Sequence, residues 1–442
     1  MKKKQVVVMT MAAVMACGAM TACGGSKSDA GNNAAAGSEA SGETGSAEGK
    51  QVLSVTTWDN ESTPQFQAVI DAYEEKNPDV EIKIIDTSAD EYNNSLGISL
   101  SAAQPDPDVI WVKDMGSMLQ MADKEQLLPI DEFIKKDNLD LSIYKGAAEQ
   151  LQYNGVSYAL PYRNDWYVLY YNKDLFDAAG VEYPSNDLTM EDYDALARKM
   201  TSGSGDTKVY GCHYHTWRSA ASLFSILDGK NTIIDGTYDF MKPTYDMVIA
   251  QQKDGICMDY GYLKTSSLHY SAAFENQQCA MVNMGSWFIS TLEAYMKDAE
   301  TKFNWGIVKY PHPAGAEAGS TLGTVTSLAI NADSPKAEAA ADFINWCVSE
   351  EGAQAIAKTG TFPACGSAAT AEIIKSTEGF PEDSNSVDAL TTSNVYLEMP
   401  YTQYASDIET ILNAEHDAIM TMSETVDEGI QNMNDQVPAV LG

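Results

Sequence analysis

Residues 153–180 read YNGVSYALPYRNDWYVLYYNKDLFDAAG, and the way this stretch alternates decides the fold. Asn154-Gly155 is a tight-turn signal, because both central positions of a two-residue hairpin loop need positive φ. Val156, Tyr158 and Leu160 then alternate with the period of a half-buried strand. Pro161 is expected to stop that run, since it has no N–H to donate to a ladder. Tyr167 to Tyr171 is continuous and apolar-aromatic, as in a strand covered on both faces. Between the runs lies Tyr162-Arg163-Asn164-Asp165-Trp166, an aromatic, a cation, an amide, an anion and a second aromatic. Such a cluster wedged between buried strands serves stability poorly and suits the grip of a polar ligand. Leu175 and Phe176 open a short helix that Gly180 ends.

Upstream, Val52 to Thr56 alternates as a strand that ends at Thr57-Trp58-Asp59-Asn60-Glu61. Thr63-Pro64 is a helix-start signal, followed by Phe66, Val69, Ile70 and Tyr73 at helical spacing until Asn77-Pro78. Val80, Ile82 and Ile84 form a second strand, a polar helix spans about 90–103, and Asp108 to Val112 is a buried third strand. A βαβαβ opening implies a parallel or mixed sheet with helices on its faces. Downstream, Thr189 and Asp192 resemble a capping box, and Tyr193, Leu196, Ala197 and Met200 form an apolar stripe. Strands are expected at 208–212, 280–284, 303–309 and 328–330, with helices at about 218–227 and 240–254. Ser334-Pro335 opens a long helix, and the chain beyond Pro363 is expected to be mostly helical.

The N-terminus reads as a targeting segment. Lys2, Lys3 and Lys4 precede the short apolar run Val6 to Ala16, and Met20-Thr21-Ala22-Cys23 resembles a bacterial lipobox. Residues 1–22 are thus expected to be a lipoprotein signal peptide, with Cys23 the lipidated mature N-terminus. Residues 23–50 are nearly all Gly, Ala, Ser, Asn, Asp and Glu, and cannot bury enough apolar surface to fold. As a flexible tether they span roughly 30 Å. The formal charge of −35 argues against nucleic acid and against lying flat on anionic lipid. Past Cys23, the cysteines are Cys212, Cys257, Cys279, Cys347 and Cys365; no C-x-x-C occurs, so no metal site is suggested, and whether any of them pair stays open.

Taken in order, these segments resemble the extracellular solute-binding proteins of ABC-type sugar importers, the class that includes maltose-binding protein. The resemblance rests on the lipobox and tether, Trp58 after a strand, Tyr73-Glu74-Glu75-Lys76-Asn77-Pro78 and Pro105-Asp106-Pro107-Asp108-Val109. It continues through Gly155 to Pro161, Leu169 to Phe176, Ala273-Phe274, Ala280-Met281, Gly285-Ser286-Trp287 and Ser334-Pro335-Lys336 through Glu350-Glu351-Gly352 to Pro363. It implies an α/β, two-lobed, periplasmic-binding-protein-like fold of type II. Each lobe is a mixed sheet flanked by helices, and three crossover hinges join the lobes near Pro161, Tyr310–Pro313 and Phe362–Cys365. Residues 51–161 and 314–362 are expected to form one lobe, and 162–313 and 363–442 the other. The implied role is capture of a carbohydrate, an oligosaccharide, between lobes that close and deliver it to the permease subunits of the importer. The protein is then a monomer on the extracellular face of the cytoplasmic membrane, held by its lipid anchor, with neither cofactor nor metal.

Sugars are read by flat rings under their C–H faces and by planar polar groups on their hydroxyls. Ligands of open α/β sheets sit at the carboxyl ends of strands, which singles out Trp58, Asp59 and Asn60 after the first strand and Asp114, beside Lys113, after the third. From the opening stretch come Arg163 and Asp165, which face either a ligand or each other. Tyr214, His215 and Trp217 lie in His213 to Arg218, between a strand and a helix, and at most one of the two histidines should face the cleft. The resemblance places a stacking tryptophan at Trp287 and supports Trp217. Gly323 and Thr324 would enter from the returning chain, where a missing side chain allows close approach. Asp59 and Asp114 double as cap candidates. Two alternatives stand: a charged solute such as a polyamine, met by Asp59, Asp114 and Asp165, and a glycan-active enzyme. No Ser-x-Gly elbow, His-Glu-x-x-His or Gly-rich phosphate loop supports catalysis.

Overall fold

Ala159–Asn172 is one unbroken strand of 14 residues, so Pro161 does not end the first run. In the computed structural model, residues 49–441 are described, apart from 103, 145, 146, 149, 150, 401 and 403. The expected signal peptide, Cys23 and the tether up to residue 48 lie outside the described residues.

The chain runs β1 (Gln51–Trp58), α1 (Pro64–Lys76), β2 (Val80–Thr87), α2 (Tyr92–Ser101), β3 (Val109–Val112), α3 (Met115–Asp123) and α4 (Asp131–Lys136). The hairpin β4 (Gln152–Tyr153) and β5 (Val156–Ser157), turning at Asn154 and Gly155 with positive φ, leads into β6 (Ala159–Asn172). Then come α5 (Lys173–Ala179), α6 (Met190–Met200), α7 (Arg218–Ser222), α8 (Lys242–Lys253), α9 (Tyr260–Ser266), α10 (Tyr270–Glu275), β7 (Met281–Gly285), α11 (Trp287–Asp298) and β8 (Trp305–Lys309). The return is β9 (Ser320–Ile330), α12 (Ala337–Cys347), α13 (Glu350–Ala357), α14 (Ala368–Lys375), α15 (Ser384–Ala389), β10 (Asn394–Leu397), α16 (Ala405–Met420) and α17 (Val426–Leu441).

β6 joins two sheets. Its first half pairs with β9, and its second half is hydrogen-bonded to β7 and β8. The register with β9 shifts between Pro161 and Arg163, so the missing N–H of the proline falls at an irregularity the strand already carries. The Tyr162 carbonyl instead accepts from Ala364 N–H at 2.9 Å. One apolar core gathers β1, β3, α1, α12, Leu160, Tyr162 and Leu328 to Ile330. Beyond Trp166, alternate residues serve two further cores: Tyr167, Leu169 and Tyr171 enter one, Val168 and Tyr170 the other. That division is why the run reads as continuously apolar. Arg163 to Trp166 therefore occupies the junction between cores.

Two resemblance segments meet on one carboxylate. Asp108 accepts from Ser54 N–H (2.8 Å), the Ser334 hydroxyl (2.6 Å) and Lys336 Nζ (2.9 Å), which tie β1, β3 and the start of α12 together. Burial pushes its pKa up, but those hydrogen bonds win and hold it below its ordinary value.

Several sequence expectations need correction. Residues 208–212 form only single bridges, Ser202 to Val209 and Tyr210 to Cys279. A side chain at Gly211 would meet the Ala197 carbonyl at 1.7 Å, so this backbone is pressed on α6 rather than laid along a sheet. The helix expected to reach 227 is α-helical only to Ser222 and continues as a 3-10 turn. Tyr310 does not begin a crossing. It stacks on Phe224 in the second core (4.6 Å, 6°), and the passage between cores is made by β9. β9 also starts eight residues earlier than its apolar end suggests, because Ser320 and Thr321 are buried between neighbouring strands. Near the expected third crossing, the chain pairs with the junction of β6: Asn164 N–H donates to the Phe362 carbonyl, and Arg163 bridges Pro363. Among the described residues, no helix is long and apolar enough to cross a membrane. The five cysteines from Cys212 onward are buried and unbridged.

Glu293 of α11 is buried with neither carboxylate oxygen hydrogen-bonded, and a Cβ on Gly360 would lie 2.5 Å from its Oε2. Burial raises its pKa from 4.5 to about 8. A carboxyl whose folded pKa exceeds its unfolded one stabilises least when ionised, so stability falls as pH climbs from 4.5 to about 8. The slope is at most about 1.4 kcal/mol per pH unit. Glu293→Gln should therefore match the parent in urea unfolding near about pH 5 and exceed it near about pH 9. A pH-independent difference would contradict this.

Candidate ligand-binding site

A cavity of about 640 Å³ opens between the first core and the other two. Trp58, at the end of β1, presents one edge to it, while its ring packs edge-on against Phe66 and Tyr92 at 5.0 Å each. Lys113 Nζ lies 4.9 Å from that ring centroid and donates to the Ala89 carbonyl at 2.5 Å. Burial pulls Lys113 down to about 8, against the opposing fields of Asp59, Asp114 and Asp90. Asp59 adopts φ +47° and accepts from Ala89 N–H at 3.0 Å, and Asp114 caps α3 by accepting from Ser117 N–H at 2.8 Å. Both face the cavity as well.

From β6, Arg163 reaches the cavity with its guanidinium 5.8 Å from the Trp58 ring. Its Nε lies 3.0 Å from Asp165 Oδ2 and donates to Thr326 Oγ1 at 3.3 Å, while Nη1 is buried without a partner. Arg163 and Asp165 thus face each other, two residues apart on one side of the strand. Asp165 does not line the cavity; it also accepts from the Ser286 hydroxyl at 2.8 Å. Burial raises its pKa, with Arg163 and Ser286 pulling the other way.

The third core, which holds Tyr270 with Trp217 and Trp287 packed against it, supplies an aromatic wall. Trp217, Tyr270 and Trp287 line the cavity, with Trp217 at 5.7 Å from Tyr270 and 6.2 Å from Trp287. Trp287 Nε1 donates to the Tyr270 hydroxyl at 3.1 Å. Its ring lies over Gly285, where any Cβ would come within 2.1 Å. Tyr167 closes the wall, 5.4 Å from Trp287. Two hydrogen bonds span the cores at the cavity: Trp217 Nε1 to Asp90 Oδ1 (3.3 Å) and Thr291 Oγ1 to the Ser62 carbonyl (2.8 Å).

Of the twelve ligand-site candidates, eight line the cavity: Trp58, Asp59, Asp114, Arg163, Trp217, Trp287, Gly323 and Thr324. Four do not. Asn60 turns away, its N–H donating to Asp86. Asp165 is spent on Arg163 and Ser286. Tyr214 is buried in the second core, its hydroxyl donating to Gln251 at 2.8 Å. His215 lies behind the aromatic wall, edge-on to Trp217 at 4.6 Å, and His213 is wholly buried, so neither histidine reaches the cavity. Gly323 lines it for a different reason than expected: the space its side chain would fill holds Val395 of β10.

A further polar wall was not foreseen. Glu409, Asn413, His416 and Asp417, spaced along one face of α16, line the cavity together with Glu398 and Lys264. Arg218 is buried among them, donating from Nε to Asn413 Oδ1 at 3.1 Å, with Nη2 3.9 Å from Glu409 Oε1 and Nη1 unpartnered. Lys264 pairs with Asp417 at 3.2 Å. His416 shares a hydrogen bond through Nδ1 with the Tyr245 hydroxyl, and its Nε2 is buried without a partner. Burial holds His416 near 3, so it is neutral at working pH. Burial also raises Glu398 and Glu409, against the pull of Arg218. Only the 3–4 residue spacing of polar groups on α16 signalled this wall, and in so acidic a chain that spacing reads as a solvated face.

Residues 59–354 match the family of bacterial extracellular solute-binding proteins. The chain belongs to that family. The solute-binding protein is 41% identical to a sugar transporter from Rhizobium etli, solved in an open conformation, with a TM-score of 0.72 over 88% of this chain and 99% of that one. The fold is shared with an ABC substrate-binding protein from Listeria monocytogenes in complex with cycloalternan, at 22% identity and a TM-score of 0.75 over 89% and 99%. A curated relative, the sn-glycerol-3-phosphate-binding periplasmic protein UgpB of Yersinia pestis bv. Antiqua, is 23% identical over 88% of this chain and 92% of its own. The two-lobed α/β architecture with its interlobe cavity is thus that of a solute-binding protein.

Proposed function

We propose that this solute-binding protein captures a carbohydrate, an oligosaccharide, in the interlobe cavity and delivers it to the permease subunits of an ABC importer. The observation that carries this reading is the contiguous wall of Trp217, Tyr270 and Trp287 in a cavity that is also lined by residues with unpartnered buried polar atoms. Rings stack under the C–H faces of a sugar, while Arg163 Nη1, Arg218 Nη1 and the carboxylates take its hydroxyls. The Rhizobium etli sugar transporter and the cycloalternan complex support the ligand class. Trp58, Asp59, Asp114, Arg163, Trp217, Trp287, Gly323 and Thr324 are the proposed contact set.

Closure follows from contacts drawn from both lobes, which favour the shut state by population shift. Segments near 161–163, along β9 and near 362–364 serve as hinges between a lobe of 51–161 with the chain from the end of β9 to about 362 and a lobe built from the remainder. The lipobox places the monomer on the extracellular face of the cytoplasmic membrane through Cys23. Cys23→Ala should move it from the membrane fraction to the medium, and continued retention would point to another anchor.

A surplus of carboxylates in the cavity favours one second reading, a cationic solute such as a polyamine. A thermal-shift panel separates the two. At 100 times Kd, a true ligand stabilises by about 2.7 kcal/mol. Neutral oligosaccharides should raise Tm; a shift with polyamines alone would overturn the carbohydrate reading.

A further inference from the structure

Among the described residues, the cavity is lined by seven carboxylates and four cations, and each of those cations is already engaged. Lys113 donates to the Ala89 carbonyl at 2.5 Å, Arg163 pairs with Asp165 at 3.0 Å, Lys264 with Asp417 at 3.2 Å, and Arg218 lies between Asn413 and Glu409. Arg218 is 4% exposed and His416 1% exposed; both residues line the cavity, and each has one buried nitrogen, Nη1 and Nε2, without a partner. Glu398 and Glu409 flank the same guanidinium, and the field of Asp114 reaches both carboxyls from the first lobe.

We propose that the Arg218 corner, with Glu398 and Glu409 beside it, is a selectivity element that admits uncharged hydroxylated ligands and bars phosphorylated or carboxylated ones. A hydroxyl both accepts and donates, so one sugar hydroxyl takes Arg218 Nη1 as donor and gives its proton to a flanking carboxylate. A phosphate monoester brings a charge of about −1.5 to −2 and no proton for those carboxylates. Taking Arg218 Nη1 as its donor, it still sits beside Glu409, whose Oε1 is 3.9 Å from Nη2, and like-charge contacts of that kind discriminate strongly. This rests on the carbohydrate reading for what enters the cavity, and it separates this chain from relatives named for sn-glycerol 3-phosphate.

Calorimetric titration of the wild-type protein and of Glu398→Gln/Glu409→Gln with glucose 6-phosphate and sn-glycerol 3-phosphate tests it, beside a neutral panel including maltotriose and mannotriose. The wild type should bind neither phosphate, and the double variant should gain at least about tenfold in affinity for one of them, a gain that salt reverses. If the double variant unfolds, Glu409→Gln alone, at a half-exposed side chain, should give a smaller gain in the same direction. Wild-type binding of either phosphate as tight as any neutral sugar, or no gain in a folded variant, would overturn the proposal. A neutral panel that fails throughout sinks the carbohydrate reading instead, while the phosphate arms still decide this one.

Discussion

Trp287→Ala should weaken oligosaccharide binding by about 30-fold or more, the order of a 2 kcal/mol hot-spot loss. Trp287 is the ring at which three features converge: it lines the cavity, meets Trp217 and Tyr167, and donates to Tyr270. Its packing over Gly285 means the variant also loses stability, by about 1–3 kcal/mol for a half-buried side chain. Trp287→Phe separates the two effects, since it keeps a ring for stacking while giving up the indole N–H and part of the ring area. Titration and thermal melts on both variants check this. Unchanged affinity in a folded Trp287→Ala protein would remove the residue from the site.

Arg163→Ala should cost about 3–5 kcal/mol of stability, because it strands the Asp165 carboxylate in a site where that residue is 2% exposed. The cost arises from the anion left behind, so Asp165→Asn in the same background should recover much of it. The double variant should stay poor at binding, as Arg163 also lines the cavity. Urea unfolding of the four proteins in the cycle measures the coupling. A coupling near zero would mean that the pair does not hold the junction.

What was legible in the sequence follows from how local each signal is. Period-2 and period-3.6 patterns located β1, α1, β2, β3 and α6, and the strand-end rule led to Trp58, Asp59 and Asp114, since those positions follow directly from where a strand stops. Pro161 misled because the rule for proline in strands is local, whereas a register shift against β9 absorbs its missing N–H. The start of β9 was hidden because Ser320, Thr321, Gly323 and Thr324 are polar or small, and only flanking strands on both sides make them strand. Asp165, Tyr214 and His215 have the right chemistry, but nearby groups in the fold claim their side chains. The α16 wall lies about 200 residues from Arg218, which it surrounds, and no spacing within the chain foretells that meeting.

The central claim is that the cavity binds a neutral oligosaccharide against the Trp217 and Trp287 wall. Isothermal titration of the wild type, Trp217→Ala and Trp287→Ala with a panel of neutral oligosaccharides tests it most directly. Saturable one-to-one binding of at least one sugar to the wild type, and its loss in both folded variants, is the expected result. Equal binding by all three proteins, or no binding of any sugar by the wild type, would contradict it.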